Sequence, residues 1–197
     1  MAVAVAERKV KVAELSLRAI LCVLSALAAA LVATDTQTKT FFSSYQKKAT
    51  FRDMKAMVFL VFATAVAAAY SLLQAARCCV TAARGVSPTT ATTKRSRAMA
   101  WCVFSCDQAL AYVVLAALAA ALQASVIAKR GQPELQWMEI CGMYGAFCRQ
   151  AGGGIASAVG AALAAALLAF VSAFNVFRLY GGDKSGGAAR NGGGATW

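Results

Sequence analysis

The sequence contains no histidine, only two prolines and no Asn-x-Ser/Thr acceptor for N-linked glycans. Without histidine the chain cannot form a histidine-based catalytic triad or a zinc-hydrolase motif. The glycine runs at 152–154 and 192–194 lack the preceding strand and the lysine of a phosphate-binding loop. We therefore expect a protein that is not an enzyme, that binds no metal and no cofactor, and that is not N-glycosylated.

Charged residues are scarce at 14% of the chain, while hydrophobic residues make up 60%. Soluble domains are nearer to a quarter charged, and a helix of about 20 apolar residues crosses the hydrocarbon of a bilayer. Four segments reach this length, at about residues 15–34, 56–76, 98–128 and 151–177. The sequence predicts an all-α membrane protein, a bundle of four transmembrane helices.

The remaining segments are too short to form further domains. We predict an N-terminal tail at residues 1–14, a membrane domain at 15–181 and a glycine-rich, disordered C-terminal tail at 182–197. The basic run before the first span is also a feature of cleaved signal peptides, but Arg18 would interrupt the apolar region that such a signal needs. Residues 77–97, which contain Gly85 and Pro88, read as a flexible cytoplasmic connector.

The excess of positive charge, a net +12, predicts the orientation of the chain. Residues 1–14, 77–97 and 178–197 together hold 11 Lys and Arg, and the loops between the first and second and between the third and fourth spans hold 8 together with four acidic residues. Because Lys and Arg favour cytoplasmic loops, we expect both termini in the cytoplasm. The basic residues lie at the ends of spans without interleaved aromatics, so they indicate attraction to anionic lipids and not a nucleic-acid surface.

Two charges interrupt the spans, Arg18 in the first and Asp107 in the third. Both fall near the cytoplasmic boundary when the third span is counted back from Lys129 at 1.5 Å per residue. Intramembrane charges nearly always pair or line a polar pathway, and Arg suits a bidentate contact with a carboxylate. We predict an Arg18–Asp107 pair. Two alternatives stay open: Arg18 extends to the interface beside Glu14, or Asp107 relays protons.

Seven cysteines are present, and their positions give two predictions. Cys141 and Cys148 fall in a loop assigned to the oxidising exterior, where a disulfide is favoured over two free thiols. Cys78 and Cys79 adjoin the cytoplasmic end of the second span, where S-palmitoylation is a candidate modification. Helix packing is the default role for these two and for Cys102 and Cys106, because the spacing does not suit a metal site.

Small residues recur every four positions in the fourth span, at Gly152, Ala156, Gly160 and Ala164. Such a row allows two helix backbones to approach closely, and close packing holds helices together where lipid is as apolar as the side chains. We expect a packing face here, against either another helix of the bundle or another subunit.

The chain resembles the Casparian strip membrane domain protein-like family of plant four-span proteins, which is related to MARVEL domains. The resemblance covers about residues 15–181. It depends on the order of LSLRAIL with VATDTQT, FRDMKAMVFLVFATAVAAAYSLLQ, CDQALAYVVLAA and QWMEICGMYGAFCRQAGGGIASA. Arg18 and Asp107 match the paired intramembrane charges of the family, and Cys141 and Cys148 match its second outer loop.

The resemblance implies a plasma-membrane protein that forms homodimers, heterodimers with related members and larger scaffolds that direct local cell-wall modification. The implied partners are other copies, membrane lipids and cell-wall enzymes, and no nucleic acid. The first outer loop has FF at 41–42 but lacks the ESLPFFTQF-like signature of the strip-forming members, so we place the chain outside that core group. The alternative function is a small transporter or channel subunit that uses Asp107 to handle protons or cations.

Overall fold

A computed structural model describes residues 2–41, 45–83 and 93–188. Its four long helices are α1 (Ala2–Ala33), α2 (Lys55–Ala83), α3 (Thr93–Arg130) and α4 (Gly145–Ala188). Each contains a stretch long and apolar enough to cross a membrane: Val12–Ala33, Lys55–Val80, Ala98–Arg130 and Gly145–Phe177. The predicted four-helix membrane bundle is confirmed.

The helices are longer than the spans that the sequence predicts. α1 includes nearly all of the segment predicted as an N-terminal tail, and α4 continues to Ala188, through the first seven residues of the tail predicted to be disordered. Adding one residue to an existing helix forms one further hydrogen bond, so helices extend past their apolar segments at low cost. The predicted connector at 77–97 is partly helical, because α2 continues to Ala83 and α3 begins at Thr93; residues 84–92 lie outside the described residues.

The helices form a ring in which α1 packs against α2 and α4, and α3 packs against the same two neighbours. Each helix contributes one large, fully buried apolar side chain to the core: Leu21, Leu60, Val114 and Leu168. Much of the remaining core is alanine, and small side chains allow helices to approach closely within a membrane. Side chains on the outer faces, such as Val23 and Phe62, are exposed for contact with lipid.

A β-hairpin joins α1 to α2, an element that the sequence did not predict. Strand β1 (Thr36–Phe41) pairs antiparallel with β2 (Tyr45–Thr50). Threonine favours such pleated structure because it is branched at Cβ. A short turn follows, in which the Asp53 carboxylate accepts hydrogen bonds from the backbone N–H and the hydroxyl of Thr50, at 2.8 and 3.0 Å.

The loop between α3 and α4 folds back on the end of α3. Gly131 adopts a left-handed conformation (φ 67°), and a Cβ atom there would lie 2.6 Å from the carbonyl oxygen of Trp137. Beyond it, the backbone N–H groups of Ile140 and Cys141 both donate to the carbonyl of Ala128, at 2.9 and 3.0 Å. A glycine is therefore required where α3 ends.

Candidate functional site

The Asp107 carboxylate in α3 accepts hydrogen bonds from side chains of all three other helices. Arg18 of α1 donates from Nη1 to Oδ1 at 3.3 Å and from Nη2 to Oδ2 at 3.1 Å, a bidentate contact. The Tyr70 hydroxyl of α2 donates to Oδ1 at 2.8 Å, and the Ser172 hydroxyl of α4 donates to Oδ2. We name Arg18, Tyr70, Asp107 and Ser172 the four-helix polar cluster.

The two charged residues of the cluster are buried. Arg18 is 1% exposed and Asp107 is 2% exposed. An uncompensated charge at this depth would be costly, whereas opposite charges with additional hydrogen bonds satisfy one another. Charge and hydrogen-bonding capacity are therefore balanced within the bundle.

Glu14 extends the cluster toward the N-terminal end of α1. Its Oε1 accepts hydrogen bonds from Nε and Nη2 of Arg18, at 3.2 and 2.9 Å, one helical turn away. The Glu14 side chain is 24% exposed. Arg18 thus contacts two carboxylates, one fully buried and one at the edge. Because Arg18 is buried, it pairs with Asp107 and does not extend to the interface as the alternative required.

Sequence reasoning missed Tyr70 and Ser172. The available signal was weak: each is a polar residue inside an otherwise apolar span. Intramembrane hydroxyls usually bond to a carbonyl one turn earlier, as Thr64 does with Leu60 at 2.7 Å. Only the packing of α2 and α4 against α3 shows that these two hydroxyls reach Asp107.

The family model of the Casparian strip membrane protein domain matches residues 7–173. This range includes all four members of the polar cluster. The chain belongs to this family. It is 74% identical over 187 residues to CASP-like protein 2U1 of Sorghum bicolor, covering 91% of this chain and 94% of that protein. It is 60% identical over 197 residues to CASP-like protein 2B1 of rice, Oryza sativa subsp. japonica, covering 97% and 96%.

More distant similarity extends to dicotyledons. CASP-like protein 2B2 of Arabidopsis thaliana is 51% identical over 184 residues, which cover 93% of this chain and 88% of that protein. No solved structure matches the chain significantly. Each of these relatives is named as a CASP-like protein, and none of the three names is that of an enzyme.

In this CASP-like chain the loop between α3 and α4 is closed by a bond between Cys141 and Cys148, whose Cα atoms lie 5.6 Å apart. The bond joins the loop to the first turn of α4. Cys78 and Cys79, the candidates for palmitoylation, are both exposed near the end of α2, and Cys102 and Cys106 are exposed on α3. Within the described residues, no group of three or more His, Cys, Asp or Glu is arranged to hold a metal ion.

The row of small residues in α4 divides into two halves. A Cβ atom on Gly160 would lie 2.9 Å from Leu24 of α1, and Ala164 is buried, so these two pack within the bundle. Gly152 has no neighbour within 4 Å of a Cβ position, and Ala156 is exposed. Steps of four residues overshoot a helical turn by about 40° each, so the row rotates away from α1. Gly154, outside the row, packs against Val32 instead.

The N-terminal end of α4 exchanges hydrogen bonds with β1 and with the C-terminal end of α1. The Gln37 side chain accepts a hydrogen bond from the Phe147 backbone N–H at 3.0 Å, and Gln150 donates to the Leu31 carbonyl at 2.9 Å. Such contacts satisfy backbone groups that helix ends leave unpaired.

Asp35, between α1 and β1, lies buried beside these contacts and is 2% exposed. Burial raises the pKa of its carboxyl to about 6, although a backbone hydrogen bond from Ala151 acts in the opposite direction. Its Oδ2 has no hydrogen-bond partner among the described residues. Burial therefore favours the protonated form of the Asp35 carboxyl over its carboxylate.

Proposed function

We propose that this CASP-like protein is a non-enzymatic plasma-membrane scaffold that self-associates into membrane platforms. Both termini face the cytoplasm, and the two outer loops are presented to cell-wall enzymes. The bundle also associates with related family members, and membrane lipids surround it. Organisation of local cell-wall modification follows from these assemblies.

One observation carries the proposal: the four-helix polar cluster uses its charges internally. Asp107 accepts from Arg18, Tyr70 and Ser172, so its oxygens already have partners from three helices. Such a cluster fixes which helices meet and in what register. A bundle fixed in this way is a rigid unit suited to repeated assembly.

The alternative, a transporter or channel subunit that uses Asp107, has less support. Transporters commonly break their helices near the bilayer midplane to form a binding site. Here the four long helices are continuous over their candidate spans. Asp107 also lines neither of the two cavities described for the bundle.

Photobleaching of a fluorescent fusion in plant plasma membrane tests the proposal, with counts of bleaching steps to give the number of subunits. We expect slow recovery in patches that contain several subunits. An Asp107→Asn variant, which weakens the cluster, serves as a comparison and should assemble or traffic poorly. Fast recovery of single subunits, together with ion or proton flux that depends on Asp107, would support the transporter instead.

A further inference from the structure

Tyr112 and Gln108 place two hydrogen-bonding side chains on the lipid-facing side of α3. Tyr112 is 64% exposed, and Gln108, one turn earlier, is partly exposed. Neither side chain has a hydrogen-bond partner among the described residues. Every other residue in the segment 109–122 is Ala, Val or Leu.

Tyr112 lies deep within the span. It is near the midpoint of α3 (Thr93–Arg130) and five residues beyond Asp107, which is about 7.5 Å further along the helix axis. Tyrosines at membrane surfaces place their hydroxyl among the headgroups. A tyrosine at this depth instead exposes its hydroxyl to hydrocarbon, where an unsatisfied polar group is costly.

A cleft of 530 Å³ between α3 and α4 adjoins these two side chains. Phe104, Tyr112 and Phe170 stand along its sides. Four small residues also line it: Ala111, Ala166, Ala169 and Ala173. Alanines along a cleft allow a helix to approach closely, and polar side chains beside small residues are the combination that joins helices within membranes.

We propose that this cleft, with Gln108 and Tyr112, is the surface through which two copies of the chain associate. The occupant is a second copy because the polar groups are self-complementary: a glutamine amide and a tyrosine hydroxyl each donate and accept. Around a two-fold axis the same patch serves both subunits. Gln108 and Tyr112 of one copy bond to those of the other, and Phe170 packs across the cleft. This interface rests on the proposed self-association.

Energy transfer between donor-labelled and acceptor-labelled full-length chains in lipid vesicles tests the interface. Ala166→Trp fills the cleft, and the double variant Gln108→Leu/Tyr112→Leu removes the hydrogen bonds. Both should need a protein-to-lipid ratio at least about tenfold higher for half-maximal transfer. Ala65→Trp is the matched control, because Ala65 is exposed on α2 and does not line the cleft. This control should behave as the wild type.

Cross-linking gives a second, positive signal. In a chain whose five cysteines outside the disulfide are replaced by serine, Tyr112→Cys should form a disulfide-linked dimer on oxidation, and Ala65→Cys should not. Self-association that all variants retain, without a Tyr112→Cys dimer, would overturn the interface and leave the scaffold intact. A wild-type chain that stays monomeric at every protein-to-lipid ratio would overturn both.

Discussion

The Tyr70 hydroxyl donates a hydrogen bond of 2.8 Å to the Asp107 carboxylate and so connects α2 to the charge pair formed by α1 and α3. Ser172 makes the corresponding connection from α4. Each of the other three helices thus contributes one donor side chain to the single carboxylate of α3. Removing any one donor should weaken the bundle without removing the others.

Tyr70→Phe and Ser172→Ala test the two hydroxyls. Each variant deletes one donor to a buried carboxylate, and we expect each to lower the free energy of unfolding by about 1 kcal/mol. Unfolding in mixed micelles, followed by circular dichroism, measures the change. Ser125→Ala is the matched control, since it removes a hydroxyl that donates to the Leu122 carbonyl of its own helix and does not contact Asp107. An equal loss of stability for Ser125→Ala would show that the effect does not come from Asp107.

Asp35 should make stability depend on pH. Its pKa is raised from 3.8 to about 6 in the folded protein. Between these values the folded state binds more protons than the unfolded state, so the free energy of unfolding falls as pH rises across that window. Asp35→Asn cannot ionise and should remove this dependence, which makes the variant more stable than wild type at pH 7. Thermal unfolding of both proteins at pH 4, 6 and 8 measures this dependence of stability on pH. Parallel profiles would contradict a raised pKa at Asp35.

The cysteines should divide into two classes on alkylation. Intact mass after treatment with a thiol reagent in denaturant should show five modified cysteines without reductant and all seven after reduction. Replacing Cys141 with Ser should add one modified cysteine to the unreduced protein, namely Cys148. Cys102→Ser should instead subtract one. Seven modified cysteines without reductant would show that the second outer loop is open.

The orientation of the termini can be tested with introduced glycosylation sites, because the natural chain has none. An Asn-x-Ser acceptor inserted at the hairpin between β1 and β2 should be glycosylated. The same acceptor inserted at residue 90 of the middle loop should not. Gel mobility before and after glycosidase treatment reports both. The opposite pattern would place both termini outside the cytoplasm.

The spans could be predicted from the sequence because each is an uncharged run of the required length. Arg18 and Asp107 could be predicted as a pair because they were the charges inside those runs and their depths agreed. Ser172 could not, since a serine hydroxyl in a span has an equally good acceptor on its own helix. Tyr70 could not, since a tyrosine toward the end of a span is equally suited to placing its hydroxyl among the headgroups. Which acceptor each hydroxyl uses depends on the rotation of each helix within the bundle.

The outer elements were the least predictable part. The hairpin of Thr36–Phe41 and Tyr45–Thr50 consists mainly of polar residues without a clear alternation of apolar side chains, which is the usual sequence signal for a strand. In the sequence Asp35 has the features of an ordinary loop carboxylate. Its burial results from the contact between α1 and α4, which the sequence does not show. Only the half of the small-residue row formed by Gly160 and Ala164 packs within the bundle, because the rotation of α4 that decides this is set by packing and is not written in the spacing.

A double-mutant cycle on Arg18 and Asp107 tests most directly whether one charge pair joins the helices. Arg18→Leu and Asp107→Leu should each cost about 3–5 kcal/mol, because each leaves a buried charge without its partner. The double variant should cost far less than the sum. Measurement in a Glu14→Gln background prevents Glu14 from pairing with Arg18 when Asp107 is removed. Coupling above about 1.5 kcal/mol in the free energy of unfolding is the predicted result; costs that simply add would contradict the pair as the link between the helices.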